Sequence, residues 1–412
     1  MHRRVLHLLS QRPALTGSGV TLDAIVSNAQ RAGWEQLVSV GVPTDDPHPS
    51  VGGLDSGSIR SLRFGSDGEL PFPVPGMSDV MPYVSTVFSQ MTESQLDAYR
   101  TAWRRQIERL VAEFQPDLIH SHHVWIMSSM LKTMAPQVPV VTHCHATGLR
   151  QMELCPDLAA EVRTGCGRNE RFAVLHEGHS RALESALGVS RKRIVVVGAG
   201  YREELFHARE VTPAESAGRE NRLLYIGKYS AAKGLPYLLD AFERMQAARP
   251  GLELHVAGSG AGDEADALLK RMESLAPSVV LHGQIDQSTL AGLMRRCSVC
   301  VLPSFYEGVP LVLVEALACG CRLVATDLPG VRSEIAPVVG NVLDVVPLPR
   351  LESVDVPRDD DLPAFVNDLG AAIERSLARP PLGDPALNRS SALDRFNWSA
   401  VFRRVEAIWR FE

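Results

Sequence analysis

A chain of 412 residues is long for one domain and points to two, and 45% hydrophobic with 22% charged residues is an ordinary globular composition. The net charge of −6 argues against a nucleic-acid partner and gives no general attraction to an anionic membrane surface. No apolar run approaches the roughly 20 residues of a membrane span, and seven scattered cysteines, an odd number, read as reduced thiols of a cytoplasmic protein.

Strand and helix alternate from the start. "RRVLHLLS" predicts a strand, since its apolar core is too short for a signal peptide and is interrupted by His7. "GVTLDAIVSNAQRAG" predicts a helix with Val20, Ala24, Ala29 and Ala32 near one face, and "EQLVSVGVP" a second strand. Residues 43–90 are rich in Gly, Pro and Ser with little periodicity, and are expected to be irregular. Thr92, with Gln95 three residues on, forms a capping box. It opens a helix whose Leu96, Trp103, Ile107, Leu110 and Phe114 recur at helical spacing. "PDLIHSHH" and "VPVVTHCH" predict strands ending in histidines, followed by "RFAVLHEG" and "RIVVVGAG". Such alternation implies a parallel sheet with crossover helices.

Residues 199–221 turn polar and read as a linker between a first domain, 1–198, and a second, 222–396. The second alternates again through "RLLYIGK", "LELHVAG", "VVLHGQ", "VCVLP" and "CRLVATD", with helices between. Residues 345–395 hold acidic and proline-rich loops around the helix "LPAFVNDLGAAIERSLA". The amphipathic end, residues 397–412, has Val401, Val405, Ile408 and Trp409 on one face with Phe411 just beyond, and is expected to pack back on the first domain.

Two motifs carry chemistry. In "VCVLPSFYEGVPLVLVEALACG" the only charges are Glu307, in a loop after a strand, and Glu315, in the second turn of the helix that follows, which Pro310 opens in its first turn. Carboxylates in so apolar a run need donors, and vicinal sugar hydroxyls or structural salt bridges would both supply them. In "YIGKYSAAKG", Lys228 and Lys233 flank a loop of small residues that follows a strand. Two cations plus loop amides can neutralise a diphosphate, or the lysines can simply be solvated. The Cys297–Cys300 CxxC has no second pair and reads as core thiols.

Together "YIGKYSAAKGLPYLLDAF", "VAGSG", "LHGQI", the two-glutamate block and "VVVGAG…LF" resemble the retaining family 4 glycosyltransferases in order and spacing over residues 194–335. The first half resembles them more loosely through "TGSGV", "PDLIHSHHVW" and "VVTHCHATG". The resemblance implies an α/β GT-B fold, two Rossmann-like domains facing across a cleft, with the terminal helix crossing back. It implies a nucleoside-diphosphate sugar as co-substrate, no cofactor and no metal. Glu315 would hold the ribose; Glu307, with Gly308, Val309, Pro310 and Leu311, the donor sugar; Lys228 and Lys233 the diphosphate; Gly17 and Gly19 would face the donor. Backbone around Gly283 would meet the base, His122 would sit near the anomeric centre, and His145 and His123 on the acceptor side. His122, Lys233 and Glu307 are the expected catalytic set. The first lysine departs from the family's more frequent arginine, and Gly148 from a frequent aspartate. "GSG" resembles the thiol-cofactor glycosyltransferases, which favours UDP and suggests UDP-N-acetylglucosamine.

Other readings of the same residues are a metal-dependent hydrolase using His120, His122, His123, His143 and His145, a dinucleotide-binding dehydrogenase built on "VVVGAG" or "HVAGSGAG", and a non-catalytic sugar-nucleotide binder.

Overall fold

The computed structural model describes residues 3–13, 16–46, 48–78, 81, 83–208, 218–379 and 391–412. The chain forms two compact units, Met1–Ala199 with Trp398–Glu412, and Gly200–Asn397.

The first unit is built on seven parallel strands: β1 (Arg4–Leu9), β2 (Glu35–Pro43), β3 (Ile59–Phe64), β6 (Leu118–His122), β7 (Val140–Cys144), β8 (Arg171–Val174) and β9 (Ile194–Val196), in the order β3-β2-β1-β6-β7-β8-β9. Between β3 and β6 lies a two-residue pairing, β4 (Pro75–Gly76) with β5 (Thr86–Val87). Alternate residues of each strand serve opposite faces. Leu6, Leu8 and Ile119 meet a core that includes Trp103, Ile107 and Leu110 of the helix Glu93–Phe114. That helix starts with the expected capping box, Thr92 and Gln95 bonding reciprocally. Val5, Leu118, Val141 and Ala173 face the other way, onto Ile25, Ala29 and the terminal helix Trp398–Trp409.

The terminal helix therefore belongs to the first unit. Val401, Val405, Ile408 and Trp409 are buried, the Trp409 ring lies 5.0 Å from that of Trp34, and Trp34 Nε1 donates to Glu406 at 3.0 Å. Phe411 remains exposed.

The second unit has six parallel strands: β10 (Arg222–Ile226), β11 (Glu253–Ala257), β12 (Val279–Gly283), β13 (Val299–Leu302), β14 (Arg322–Thr326) and β15 (Leu343–Val346), in the order β12-β11-β10-β13-β14-β15. The helices Leu235–Ala248 and Leu362–Leu377 cover one face through Leu238, Leu239, Phe242, Leu369 and Ile373. Leu313, Leu317 and Leu323 belong to the core on the other face.

Several expectations need correction. Residues 43–90 are not wholly irregular, because β3 adds an edge strand there. In "IRSLRF" the buried Ile59, Leu62 and Phe64 are spaced by polar residues, too short a pattern to stand out. β15 was likewise hidden in "LDVV", at the entry to a polar stretch. The helix Gly17–Arg31 buries Leu22, Ile25, Val26 and Ala29, whereas Val20 and Ala24 are only partly covered. Tyr201 and Phe206, inside the expected linker, are buried in the second unit's core, and Tyr201 N donates to Phe396 O at 2.8 Å. Residues 209–217 of that linker, and 380–390 of the expected proline-rich loop, lie outside the described residues.

Candidate active site

Each sheet reverses its winding once. In the second unit β11 and β12 lie to one side of β10, while β13, β14 and β15 lie to the other. In open α/β sheets the carboxyl ends of the strands beside such a reversal are where ligands bind. Both motifs occupy that edge: Lys228 and Lys233 follow β10, and Glu307 and Glu315 follow β13.

Local backbone explains how they meet. The lysine loop ends at Gly234, in the left-handed region at φ 72°, where a Cβ would stand 2.1 Å from the Pro303 carbonyl. Only glycine lets the loop lie this close to the end of β13. Phe305 N donates to Ala232 O at 3.0 Å, clamping the two loops together. Lys233 Nζ consequently reaches Glu307 Oε1 at 2.7 Å and the Tyr306 carbonyl at 3.3 Å, with both side chains about one quarter exposed. Gly330 supports the same loop from behind, where a Cβ would lie 1.9 Å from Gly308 O.

Pro310 is the residue before the glutamate helix, Leu311–Ala318, rather than its first turn: its ψ of 88° is not helical. Glu315 lies in the second turn as expected. Its side chain is partly covered, and the desolvation pushes its carboxyl up to about 7. No hydrogen bond or ion pair to it is recorded among the described residues, so an ionised Glu315 lacks the donors that structural salt bridging would have supplied. Lys228 is exposed. Gly283 ends β12 at φ 63°, and its carbonyl accepts from Gly258 N at 2.8 Å. Leu311 is partly buried, and Val309 is buried.

In the first unit the winding reverses between β1 and β6. Gly17 and Gly19 follow β1, but in the first turn of a helix rather than a free loop; Thr16 caps it, accepting from Gly19 N at 3.2 Å. Space beside Gly17 is open. His122 ends β6 and His145 follows β7, and His122 Nδ1 lies 3.2 Å from His145 Nε2. His123 is held at φ 71°, a conformation unusual for a residue with a side chain. Its amide donates to His143 O at 2.9 Å, and its Nδ1 lies 3.3 Å from Thr147 Oγ1. Strain of this kind is found at functional sites. A Cβ at Gly148 would stand 3.1 Å from Val124 N, so an aspartate there would press on that backbone. Burial holds these imidazoles neutral: His143 falls to about 4, and His122 and His145 lie well below the ordinary histidine value, with neighbouring histidines adding to the effect at the latter two.

Three histidines beyond the expected set join this row. His7 pairs in register with His120 across β1 and β6, and its ring lies 5.6 Å from that of His120. His176 and His179 follow β8 with ring centroids 3.8 Å apart. The signal was present, since each histidine ends or follows a strand or shares a strand face, but inter-strand register is not written in a single strand. All seven cysteines, Cys297 and Cys300 included, are buried and none is in a disulfide.

Comparison with known proteins gives the same direction. The model of Glycosyltransferase Family 4 matches residues 65–205, and that of Glycosyl transferases group 1 matches residues 220–344. A phosphatidyl-myo-inositol mannosyltransferase of Mycolicibacterium smegmatis is 26% identical over 321 residues, 75% of this chain and 74% of that protein. A D-inositol 3-phosphate glycosyltransferase of Geodermatophilus obscurus is 27% identical over 353 residues, 78% of this chain and 73% of that protein. Among solved structures, sucrose-phosphate synthase of Thermosynechococcus elongatus superposes with a TM-score of 0.68 at 20% identity over 99% of both chains. Anabaena HepE in complex with UDP and glucose superposes with a TM-score of 0.64 at 16% identity over all of both. The fold is therefore GT-B. Neither the hydrolase nor the dehydrogenase reading finds a counterpart among these relatives.

Proposed function

We propose, since the chain belongs to the family 4 glycosyltransferases, that it moves a sugar with retention from a nucleoside-diphosphate sugar to an acceptor hydroxyl. The observation that carries this reading is the Lys233–Glu307 pair at 2.7 Å, followed on the next helix by a partly buried Glu315 whose carboxyl has no partner among the described residues, at the winding reversal of the second unit. Glu315 accepts from the two ribose hydroxyls. Lys233 exchanges its carboxylate partner for the diphosphate, helped by Lys228, and Glu307 is freed to accept from the donor sugar alongside the backbone of Gly308, Val309, Pro310 and Leu311. Gly17 and Gly19 face the donor, and the backbone of Gly283 serves the base.

As the bond from the anomeric carbon to the diphosphate breaks, negative charge grows on the leaving phosphate, and the fixed lysine charge lowers that barrier. The acceptor oxygen bonds to the anomeric carbon on the same face, and its proton passes to the departing phosphate oxygen. This chemistry uses no cofactor and no catalytic metal. His122 lines the reacting centre, and His145 and His123 the acceptor side. UDP is the nucleotide and N-acetylglucosamine the first sugar to test. Seven thiols outside any disulfide suit the cytoplasm, where thiols stay reduced. No described helix is long and apolar enough to cross a membrane.

A thermal-shift panel of UDP, GDP and ADP sugars tests the reading, because a ligand that binds only the folded state raises its apparent stability. UDP-N-acetylglucosamine should raise the midpoint most. A panel in which no nucleotide sugar raises it rejects the donor site. D-inositol 3-phosphate, prompted by the name of the Geodermatophilus relative, is the first acceptor to add.

A further inference from the structure

One face of the first unit's sheet carries two imidazoles, His7 and His120, to which the proposed function gives no task, and a third, His122, that it places near the reacting centre. His7 on β1 stands beside His120 on β6, and His122 lies two residues further along β6 on the same face. All three are fully buried. One ring nitrogen from each lies within 4.8 Å of the others. Among the described residues His7 Nδ1, both nitrogens of His120, and His122 Nε2 have no hydrogen-bond partner. A buried polar atom left this way costs about 1–3 kcal/mol, and an ion that takes one nitrogen from each ring offsets part of that cost.

The surroundings orient them for one. Gln36 Nε2 donates to Val26 O at 3.0 Å, which turns Gln36 Oε1 toward His7 Nε2, also at 3.0 Å. That carbonyl accepts the His7 Nε2 proton and leaves Nδ1 with its lone pair free. His122 Nδ1 is similarly engaged by His145 Nε2 at 3.2 Å, leaving Nε2. A metal-binding histidine is ordinarily held by a hydrogen bond to its second nitrogen in this manner.

We propose that His7, His120 and His122 bind a first-row transition-metal ion of the zinc or cobalt type, tying β1 to β6 within the first unit. Imidazole nitrogen suits such ions, and no carboxylate joins the set, which disfavours magnesium and calcium. Nitrogens about 2.0–2.1 Å from zinc in a tetrahedral site stand closer together than 4.8 Å, so the rings rotate inward on loading. Trp409 covers the site, its ring 5.5 Å from that of His7 and 5.3 Å from that of His120. Entry therefore follows folding or lifting of the terminal helix, and the ion is retained afterwards. The site shares His122 with the proposed function but uses none of its phosphate ligands, and metal content reads neither donor binding nor turnover.

The test refolds the untagged full chain with cobalt(II) or zinc(II), dialyses it against metal-free buffer, and counts metal by elemental analysis. We expect one equivalent per chain, a ligand-field cobalt spectrum without the sulfur charge-transfer band that cysteine binding would add, and a higher thermal midpoint. His7→Phe should lose the equivalent. Gln36→Leu, which keeps all three ligands, should weaken affinity about 10–100-fold, and it decides the matter if His7→Phe does not fold. Refolded wild-type protein without stoichiometric metal, a thiolate-type spectrum, or affinity undiminished in Gln36→Leu would each overturn the proposal.

Discussion

Glu315 costs stability when it is ionised. Burial raises its carboxyl from about 4.5 to about 7. The folded state thus holds the proton more tightly than the unfolded chain, so the stability this gives is fully present below about pH 4.5 and is lost as pH rises through 7. Across that window the slope approaches roughly 1.4 kcal/mol per pH unit. Glu315→Gln cannot ionise and should flatten this slope, gaining on wild type between pH 5 and pH 8 in urea unfolding. Parallel curves for the two proteins would show that the carboxyl is not withdrawn from water. Nucleotide binding should show the same proton. If ribose hydroxyls need the ionised carboxylate, UDP affinity rises with pH up to about 7 and levels off above it. Calorimetry at pH 6 in buffers of different ionisation heat should then report proton release. Lys233 is the complementary case. If Lys233 meets the leaving phosphate as proposed, Lys233→Ala should lower kcat about 10²–10³-fold, more than Lys233→Arg does; single-turnover rates equal to wild type would return it to a role in the apo ion pair alone.

At the scale of elements, two contacts fix the geometry. Gly234 needs both a left-handed backbone and the absence of a Cβ against Pro303 O. Gly234→Ala should therefore destabilise by more than about 1 kcal/mol and, by pushing the lysine loop off the end of β13, also raise the KM for the donor. A variant with wild-type stability and KM would show that the loop has room. Trp409 on the terminal helix packs on Trp34, His7 and Phe402. Trp409→Ala should cost about 3–5 kcal/mol, read as an early unfolding transition of the first unit by thermal melting. The same elements show what could be read in advance. The capping box at Thr92, the strand-to-helix passage through Glu307 and Glu315, and the apolar face of the terminal helix are all local patterns, and local patterns were legible. β3 and β15 were not, because a short strand borrows its stability from register with a neighbour. The convergence of His7 with His120 is likewise a product of β1 pairing with β6. The Lys233–Glu307 contact spans 74 residues and was implied only through a shared ligand.

Over the whole molecule the chain is two sheets of like design, each reversing its winding once and each placing its chemistry at the carboxyl ends of its central strands. The second unit supplies cations and carboxylates suited to a nucleotide and a sugar. The first supplies neutral, buried imidazoles, and the terminal helix returns to complete it. A net charge of −6 leaves the phosphate site dependent on local lysines rather than on a general positive field. The central claim is that the β10 and β13 edge binds the nucleotide of the donor through Glu315. Its most direct measurement is isothermal titration of UDP at pH 8 into wild type and Glu315→Gln. One charged hydrogen bond is worth about 1.5–3 kcal/mol. Wild type should bind one equivalent, and the variant should bind on the order of 10–100-fold more weakly with its fold intact by circular dichroism. Equal affinity, or no binding of UDP to the wild-type protein, would contradict the account.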